Sequence, residues 1–135
     1  MTLTLRVLAP DQSVFDGTAD EVILPSISGQ VGILTGHVSL LTALDSGVLR
    51  VREGSTWSSI ALMGGFAEVE ANQVTVLVNA AELASSIDPA AAEKAFEAAQ
   101  LAVAALDGQP ASPAKVKAQQ ALSQARARVA AVRGS

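Results

Sequence analysis

Few residues of this sequence could do chemistry, and they do not converge. His37 is the only histidine, and cysteine is absent. A two-histidine metal centre and thiolate catalysis are thereby excluded, and a Ser-His-Asp triad would have to be built on His37. That residue closes the turn-rich stretch Gly32-Ile33-Leu34-Thr35-Gly36-His37, which has no nucleophile-elbow context. No Gly-x-x-x-x-Gly-Lys-Ser/Thr phosphate loop is present. Gly29-Gln30-Val31-Gly32 is glycine-rich but lies between strand-like segments and opens no helix, so it reads as a hairpin turn. Glu68 and Glu70 share a strand face with Phe66. Paired carboxylates there are most simply a solvated edge; a partner contact through Phe66, a large ring on a polar face, is the sharper alternative. The expectation is a protein without catalytic residues, metal or cofactor.

Composition sets the class. The chain has 135 residues, half of them apolar, and a net charge of −4. That suits one domain, or one small core with an appendage. The charge argues against nucleic-acid binding, which needs a basic surface. No apolar run reaches the roughly 18 residues of a membrane span. The start, Met1-Thr2-Leu3-Thr4-Leu5-Arg6, alternates like a strand and lacks a signal peptide's charged start and apolar block. A soluble chain is expected, with any membrane association passing through a partner.

From Leu3 to about Ala80 the apolar period is two. Leu3, Leu5 and Val7 alternate with Thr4, Arg6 and Leu8; Leu49 and Val51 with Arg50 and Arg52; Ala67 and Val69 with Glu68 and Glu70. Val74, Val76 and Val78 line one face of the last strand. Such alternation puts one face on a core and the other toward water or a partner. Turn signals recur at short intervals, among them Pro10-Asp11, Asp16-Gly17, Ser46-Gly47, Glu53-Gly54, Gly64-Gly65 and Ala71-Asn72. Many short strands so spaced read as a β-sandwich or barrel. Gly64-Gly65 marks a bulge or a close backbone approach.

Near Asp88 the period changes, dividing the chain into residues 1–87 and 88–135. Asp88-Pro89 is a cap followed by proline at the first helical position, and Ser112-Pro113 repeats the signal. Two helices, Pro89 to Leu106 and Pro113 to about Arg133, are separated by Asp107-Gly108-Gln109-Pro110. A connection this short makes them an antiparallel hairpin. Ala92, Phe96, Ala99, Val103 and Leu106 form one stripe; Ala118, Leu122, Ala125, Val129 and Val132 form its counterpart. The seam is thin, because nine of the 18 residues in the first helix and seven of the 21 in the second are alanine. Alanine favours helix but buries little: replacing a buried leucine by alanine typically loses about 2–5 kcal/mol. Helices of this kind persist locally while their pairing is weak, so the hairpin can open.

Charge is segregated too. Residues 1–87 carry net −6, residues 88–107 net −3, and residues 108–135 net +5 from Lys115, Lys117, Arg126, Arg128 and Arg133. The second helix is then either a solvated partner of the acidic first helix or a basic arm that can leave it for an acidic surface. Exposed pairs are worth about 0–1 kcal/mol each, so either association is salt-sensitive.

Several stretches taken in order resemble the epsilon subunits of F-type ATP synthases, closest to their cyanobacterial and chloroplast branch. They are Val22-Ile23-Leu24-Pro25, Ser28 through His37, Leu40-Leu41-Thr42-Ala43-Leu44, Gly47 through Arg52, Ala61 through Ala67, and Asn72 through Leu77. The resemblance implies an α+β fold: a ten-stranded β-sandwich followed by the two-helix hairpin. It implies a non-catalytic rotor part of the central stalk, monomeric in isolation, that binds the gamma subunit and rests on the ring of c subunits. It places the chain peripherally on the cytoplasmic or stromal side of an energy-transducing, thylakoid-type membrane. The glycine-rich turn of the family faces the ring, which here points to Gln30 and, nearby, His37; many relatives carry an acid where this chain has Gln30. The family's hairpin has a folded form and an extended form, and the extended arm meets an acidic segment of the catalytic beta subunit and brakes ATP hydrolysis. Arg126, Arg128 and Arg133, supported by Lys115 and Lys117, are the charges that would face it.

The competing reading is a freestanding binding module, for carbohydrate, with a helical tail. It is poorly served by a chain with one tryptophan and no tyrosine. One family feature is broken. Some bacterial relatives bind ATP through Ile-Asp-x-x-Arg-Ala, and here Ile87-Asp88-Pro89-Ala90-Ala91-Ala92 puts Ala91 where the arginine would be. Without a guanidinium to hold phosphate, Asp88 keeps only its capping role. The isolated chain should therefore bind ATP weakly or not at all; tight, stoichiometric heats in titration calorimetry would contradict this.

Overall fold

The computed structural model describes residues 2–134. Ten strands come first: β1 (Leu3–Ala9), β2 (Gln12–Ala19), β3 (Glu21–Ser26), β4 (Gly29–Ile33), β5 (Leu40–Leu44), β6 (Gly47–Glu53), β7 (Thr56–Leu62), β8 (Gly65–Glu70), β9 (Gln73–Val78) and β10 (Ala81–Leu83). A 3-10 turn at Ala84–Ser86 leads into α1 (Pro89–Ala105) and α2 (Pro113–Val132). The expected α+β order, a ten-stranded sandwich and then two helices, is what the chain adopts.

The strands follow one path, β10-β7-β6-β3-β5-β8-β9-β1-β2, with β4 paired to β3. β3 is the crossing point between layers. Glu21, Val22 and Ile23 pair with β6, whereas Ser26 pairs with Leu44 of β5. The alternating residues of every long strand then point into one core, which includes Leu3, Leu5, Val7, Leu24, Ile33, Leu49, Ile60, Leu62, Val69, Val74 and Val76. Burying side chains of this size contributes about 1.5–3 kcal/mol each. β1 lies parallel to β9, far from it in sequence, and antiparallel to β2, where a bulge falls between Val7 and Leu8.

Two expected turns differ from the structure: Asp16-Gly17 lies inside β2, paired with Arg6 and Leu5 of β1, and the turn near Gly29 is placed differently. Gly29-Gln30-Val31-Gly32 is not itself a turn: it is the body of β4, and the loop is Ile27-Ser28, closed by the pairing of Ser26 with Gly29. Gly29 sits at φ 119°, which explains the glycine without making it the apex. Ser26, buried, accepts the Ser28 N–H at 3.2 Å and lies 3.1 Å from the Thr42 hydroxyl, so the loop is tied to β5. At the other end, Ala71 and Asn72 both take positive φ, 50° and 63°, as a tight two-residue hairpin loop demands. Asn72 also accepts the Gly36 N–H at 2.7 Å and so anchors the loop that carries His37.

The helices begin where the cap signals place them. Asp88 accepts from the Ala90 and Ala91 N–H groups at 3.0 and 3.4 Å, and Ser112 from Lys115 N–H at 3.1 Å. α2 lies on the outer face of β6 and β7, and α1 packs on α2. A second, smaller apolar cluster results, with Ala61 and Met63 from the sheet, Ile87 and Ala92 from the start of the hairpin, and Ala127, Val129 and Ala131 from α2.

The Gly64-Gly65 corner is a close approach. Gly65 has φ 143°, and a Cβ there would collide with the Leu77 carbonyl and come within 2.7 Å of the Val78 Cα. Both obstacles are backbone, so neither can swing aside. Gly65→Ala should lower stability by about 3 kcal/mol or more, the combined cost of strained φ and clash. Gly54→Ala, at φ 64° with open space around it, should lose only about 1–2 kcal/mol; urea midpoints of the two variants test the contrast.

Candidate functional site

The sandwich has two outer faces, and they differ. On the β6–β7 side, Val48 and Ala61 lie opposite one another across the strand pair. With Met63 they form the apolar ground on which α2 sits. Farther along that face, Trp57 lies over Arg50 and Arg52, at 5.2 and 5.9 Å from the guanidinium carbons to the ring centroid, and Arg52 pairs with Glu21 at 3.2 Å. Trp57 is thus engaged by cations of its own sheet.

All ten residues of the two hairpin stripes, Ala92, Phe96, Ala99, Val103, Leu106, Ala118, Leu122, Ala125, Val129 and Val132, are buried or half-buried. α2 has a further stripe that its sequence conceals. Gln120, Gln124, Ala127 and Ala131 recur at spacings of 4, 3 and 4. Ala127 and Ala131 are buried against the sandwich, while Gln120 and Gln124 line an open polar cleft with Asp45, Gly64 and Asn79. Only the C-terminal half of α2 is seated.

The five cations fall into separate surroundings. Lys115 reaches back to the Gln109 carbonyl at 2.9 Å, and Lys117 is exposed. Arg126 borders a cleft with Pro25, Gln30 and Asp45. Arg128 pairs with Glu82 of β10 at 3.1 Å, and Arg133 pairs with Glu93 of α1. Gln30 and His37, which the resemblance groups on one turn, are not brought together. Gln30 pairs with Pro25 near Asp45, and His37 follows Gly36 at the Asn72 end, so β5 runs its length between them. The His37 Nδ1 lies 2.7 Å from the Val38 carbonyl oxygen.

The other outer face is bare. Across β5, β8, β9 and β1, register aligns Ala43, Phe66, Leu77 and Leu8 in one row. Phe66 is 58% exposed, Leu77 55%, and Leu41 in the adjacent row 71%. A continuous apolar row in the open marks a docking surface. Sequence reading singled out Phe66 and missed Leu41 and Leu77. The available signal was the failure of alternation in Leu40-Leu41 and Val76-Leu77-Val78, where both strand faces are apolar.

These features define a docking subunit: a rigid sandwich with one open apolar face, carrying a lightly seated basic hairpin on the other. Residues 2–84 match the family described as "ATP synthase, Delta/Epsilon chain, beta-sandwich domain", and residues 85–133 its "long alpha-helix domain". The chain is 71% identical over 131 residues to an ATP synthase epsilon chain of Synechococcus sp. (strain CC9902), covering 97% of this chain and 96% of that one. It is 65% identical over 133 residues to that of Prochlorococcus marinus (strain MIT 9303), covering 98% and 100%. Among solved structures, a chain of the Euglena gracilis mitochondrial ATP synthase (OSCP/F1/c-ring, rotational state 1) shares the fold at a TM-score of 0.80 and 23% identity, over 97% of this chain and 81% of that one. The chain belongs to the ATP synthase delta/epsilon family, among its cyanobacterial-type epsilon members, and is a non-catalytic subunit. No helix among the described residues is long and apolar enough to cross a membrane.

Ala127, 3% exposed, sits in the seat of α2 at the edge of the Arg126 cleft, so a larger side chain there presses on the sheet. Ala127→Leu should overpack the seat by about 1–3 kcal/mol. Trypsin should then cut faster at Lys117 and Arg126, while the thermal midpoint of the sandwich stays within about 2 °C of the parent. Unchanged cleavage rates would mean that the seat does not hold the helix.

Proposed function

We propose that the chain is a central-stalk subunit of the ATP synthase, docked through its bare sheet face and carrying a hairpin that brakes ATP hydrolysis. The observation that carries this reading is the division of labour between the two faces. The Ala43–Phe66–Leu77–Leu8 row stays open whether the hairpin is seated or not, so the sandwich can remain bound while the helices move. The gamma subunit is the partner assigned to this row. The c-ring is assigned to the end of the sandwich formed by the Ile27-Ser28 loop and Gln30, where Ile27 is 67% exposed. His37, at the opposite end, is then free to join the gamma contact and not the ring contact.

The brake is the hairpin in extended form. Helices of 17 and 20 residues span about 26 and 30 Å at 1.5 Å per residue. Release of α2 from β6 and β7 therefore moves Arg126, Arg128 and Arg133, with Lys115 and Lys117, by tens of ångströms toward the acidic segment of the catalytic beta subunit. Both helices keep their own caps when they leave the sandwich, because Asp88 and Ser112 belong to the hairpin itself. The membrane is reached only through the complex, on the cytoplasmic or stromal side of a thylakoid-type membrane.

The test is ATP hydrolysis by a catalytic complex depleted of its own epsilon chain, titrated with the full chain and with a version ending at Ile87. The full chain should inhibit; the shortened one should bind gamma with the same affinity and not inhibit. Phe66→Ser should weaken gamma binding at least about thirtyfold, as loss of a central aromatic anchor does, with little change in folding stability. Equal inhibition by the full and shortened chains would remove the brake from the hairpin.

A further inference from the structure

Three ion pairs occur among the described residues. Arg52–Glu21 lies within the sandwich, Arg133–Glu93 joins the two helices, and Arg128–Glu82 alone crosses from the hairpin to the sandwich. Glu82 belongs to β10, the strand that immediately precedes the 3-10 turn where the hairpin departs. α2 thus returns its basic side chain to the root of the arm it belongs to. Arg128 stands between the buried Ala127 and Val129, its side chain is 28% exposed, and its Nε is buried with no hydrogen bond of good geometry despite lying 3.1 Å from the carboxylate. The guanidinium is therefore drawn in by charge and not fixed by a directed bond, an attraction that a better acceptor can displace.

We infer that Glu82 is an internal decoy: it latches the folded hairpin by occupying Arg128, the same cation that the extended arm presents to an acidic surface of the catalytic complex. This rests on the brake reading above and adds its control. Arg128 cannot serve both acceptors at once. Every molecule held closed by Glu82 lacks one inhibitory charge, and every molecule braking hydrolysis has left Glu82 behind. Among the described residues none of the other cations pairs with a carboxylate of the sandwich: Arg133 is held by Glu93 of α1, Lys115 by the hairpin loop, and Arg126 borders the Asp45 cleft without an ion pair. Glu93 moves with the arm, whereas Glu82 stays, which makes Glu82 the acceptor whose loss changes the balance between the two forms.

The experiment uses the full chain, which has no native cysteine. Donor and acceptor dyes are placed on Ser55→Cys in the exposed β6–β7 turn and on Ala121→Cys on the exposed side of α2. Glu82→Gln keeps shape and removes charge. It should raise the open population about two- to fivefold at low ionic strength, the range expected of a part-exposed pair. The difference from the parent should fade in about 1 M salt, where the screening length is only about 3 Å. Arg128→Gln should open the hairpin to a similar extent, and the double variant no further. In hydrolysis assays with the epsilon-depleted complex the two part company: Glu82→Gln inhibits more strongly than the parent, and Arg128→Gln less, although both are open. The exchanged pair, Glu82→Arg with Arg128→Glu, should close again and lose inhibition.

An open population unchanged in Glu82→Gln, or single effects that simply add in the double variant, would overturn the latch. If Glu82→Gln opens the hairpin while neither it nor the parent inhibits, the latch stands and the brake reading fails. If the parent inhibits and Glu82→Gln behaves identically in both assays, the brake stands and the decoy is wrong.

Discussion

Where α2 crosses β6 and β7, the apolar cluster holds Ala127, Val129 and Ala131 from the helix and Val48, Ala61 and Met63 from the sheet. Small side chains let the helix come close, yet each removes little apolar area from water, and stabilisation scales with that area at about 25 cal/mol per Å². The sandwich core, by contrast, is built mostly from leucine, isoleucine and valine drawn from strands throughout the sheet. The two apolar clusters therefore differ in strength by construction. One sets a fold; the other sets a position that the fold can give up. The opening proposed for the hairpin depends on that difference.

A helix that is to leave its seat has to remain a helix. Isolated helices shorter than about 12–15 residues are marginal in water even when alanine-rich. At 17 and 20 residues, with side-chain caps of their own and proline at the first position, α1 and α2 lie beyond that limit. The same alanines that weaken the seat support the helices without it. Weak docking and strong local structure come from one compositional choice.

Much of this was legible in the sequence, and what was not has physical causes. The switch from a period of two to helical spacing at Asp88, the two cap-plus-proline signals and the close approach at Gly65 were all readable, because each depends on local chemistry. The stripe of α2 that meets the sandwich was not. In a helix where alanine stands on most faces, burial of Ala127 and Ala131 leaves no contrast to detect. Turn placement failed at Gly29 because a glycine needed for positive φ beside a loop looks like the loop itself. Gln30 and His37 looked adjacent because they are close in sequence, while a strand between them carries the chain to the far end of the sandwich. Glu82 could not be picked out, since its partner Arg128 arrives from the far end of the hairpin.

Charge then decides what packing leaves open. Each exposed or part-exposed pair contributes about 0–1 kcal/mol and is weakened by salt, so no single pair can hold the hairpin against a strong competitor. The closed form is held by a small apolar seat and one crossing ion pair. A surface offering several acidic groups to a C-terminal segment, residues 108–135, with five bases and no acid can outweigh the two together without any contact to the sandwich. A seat that buried more apolar area, or a directed bond in place of the off-axis Arg128–Glu82 pair, would fix the closed state and abolish the choice. The proposed bistability needs every closing term to stay small, and the alanine-rich seat, the half-seated helix and the off-axis ion pair each meet that condition.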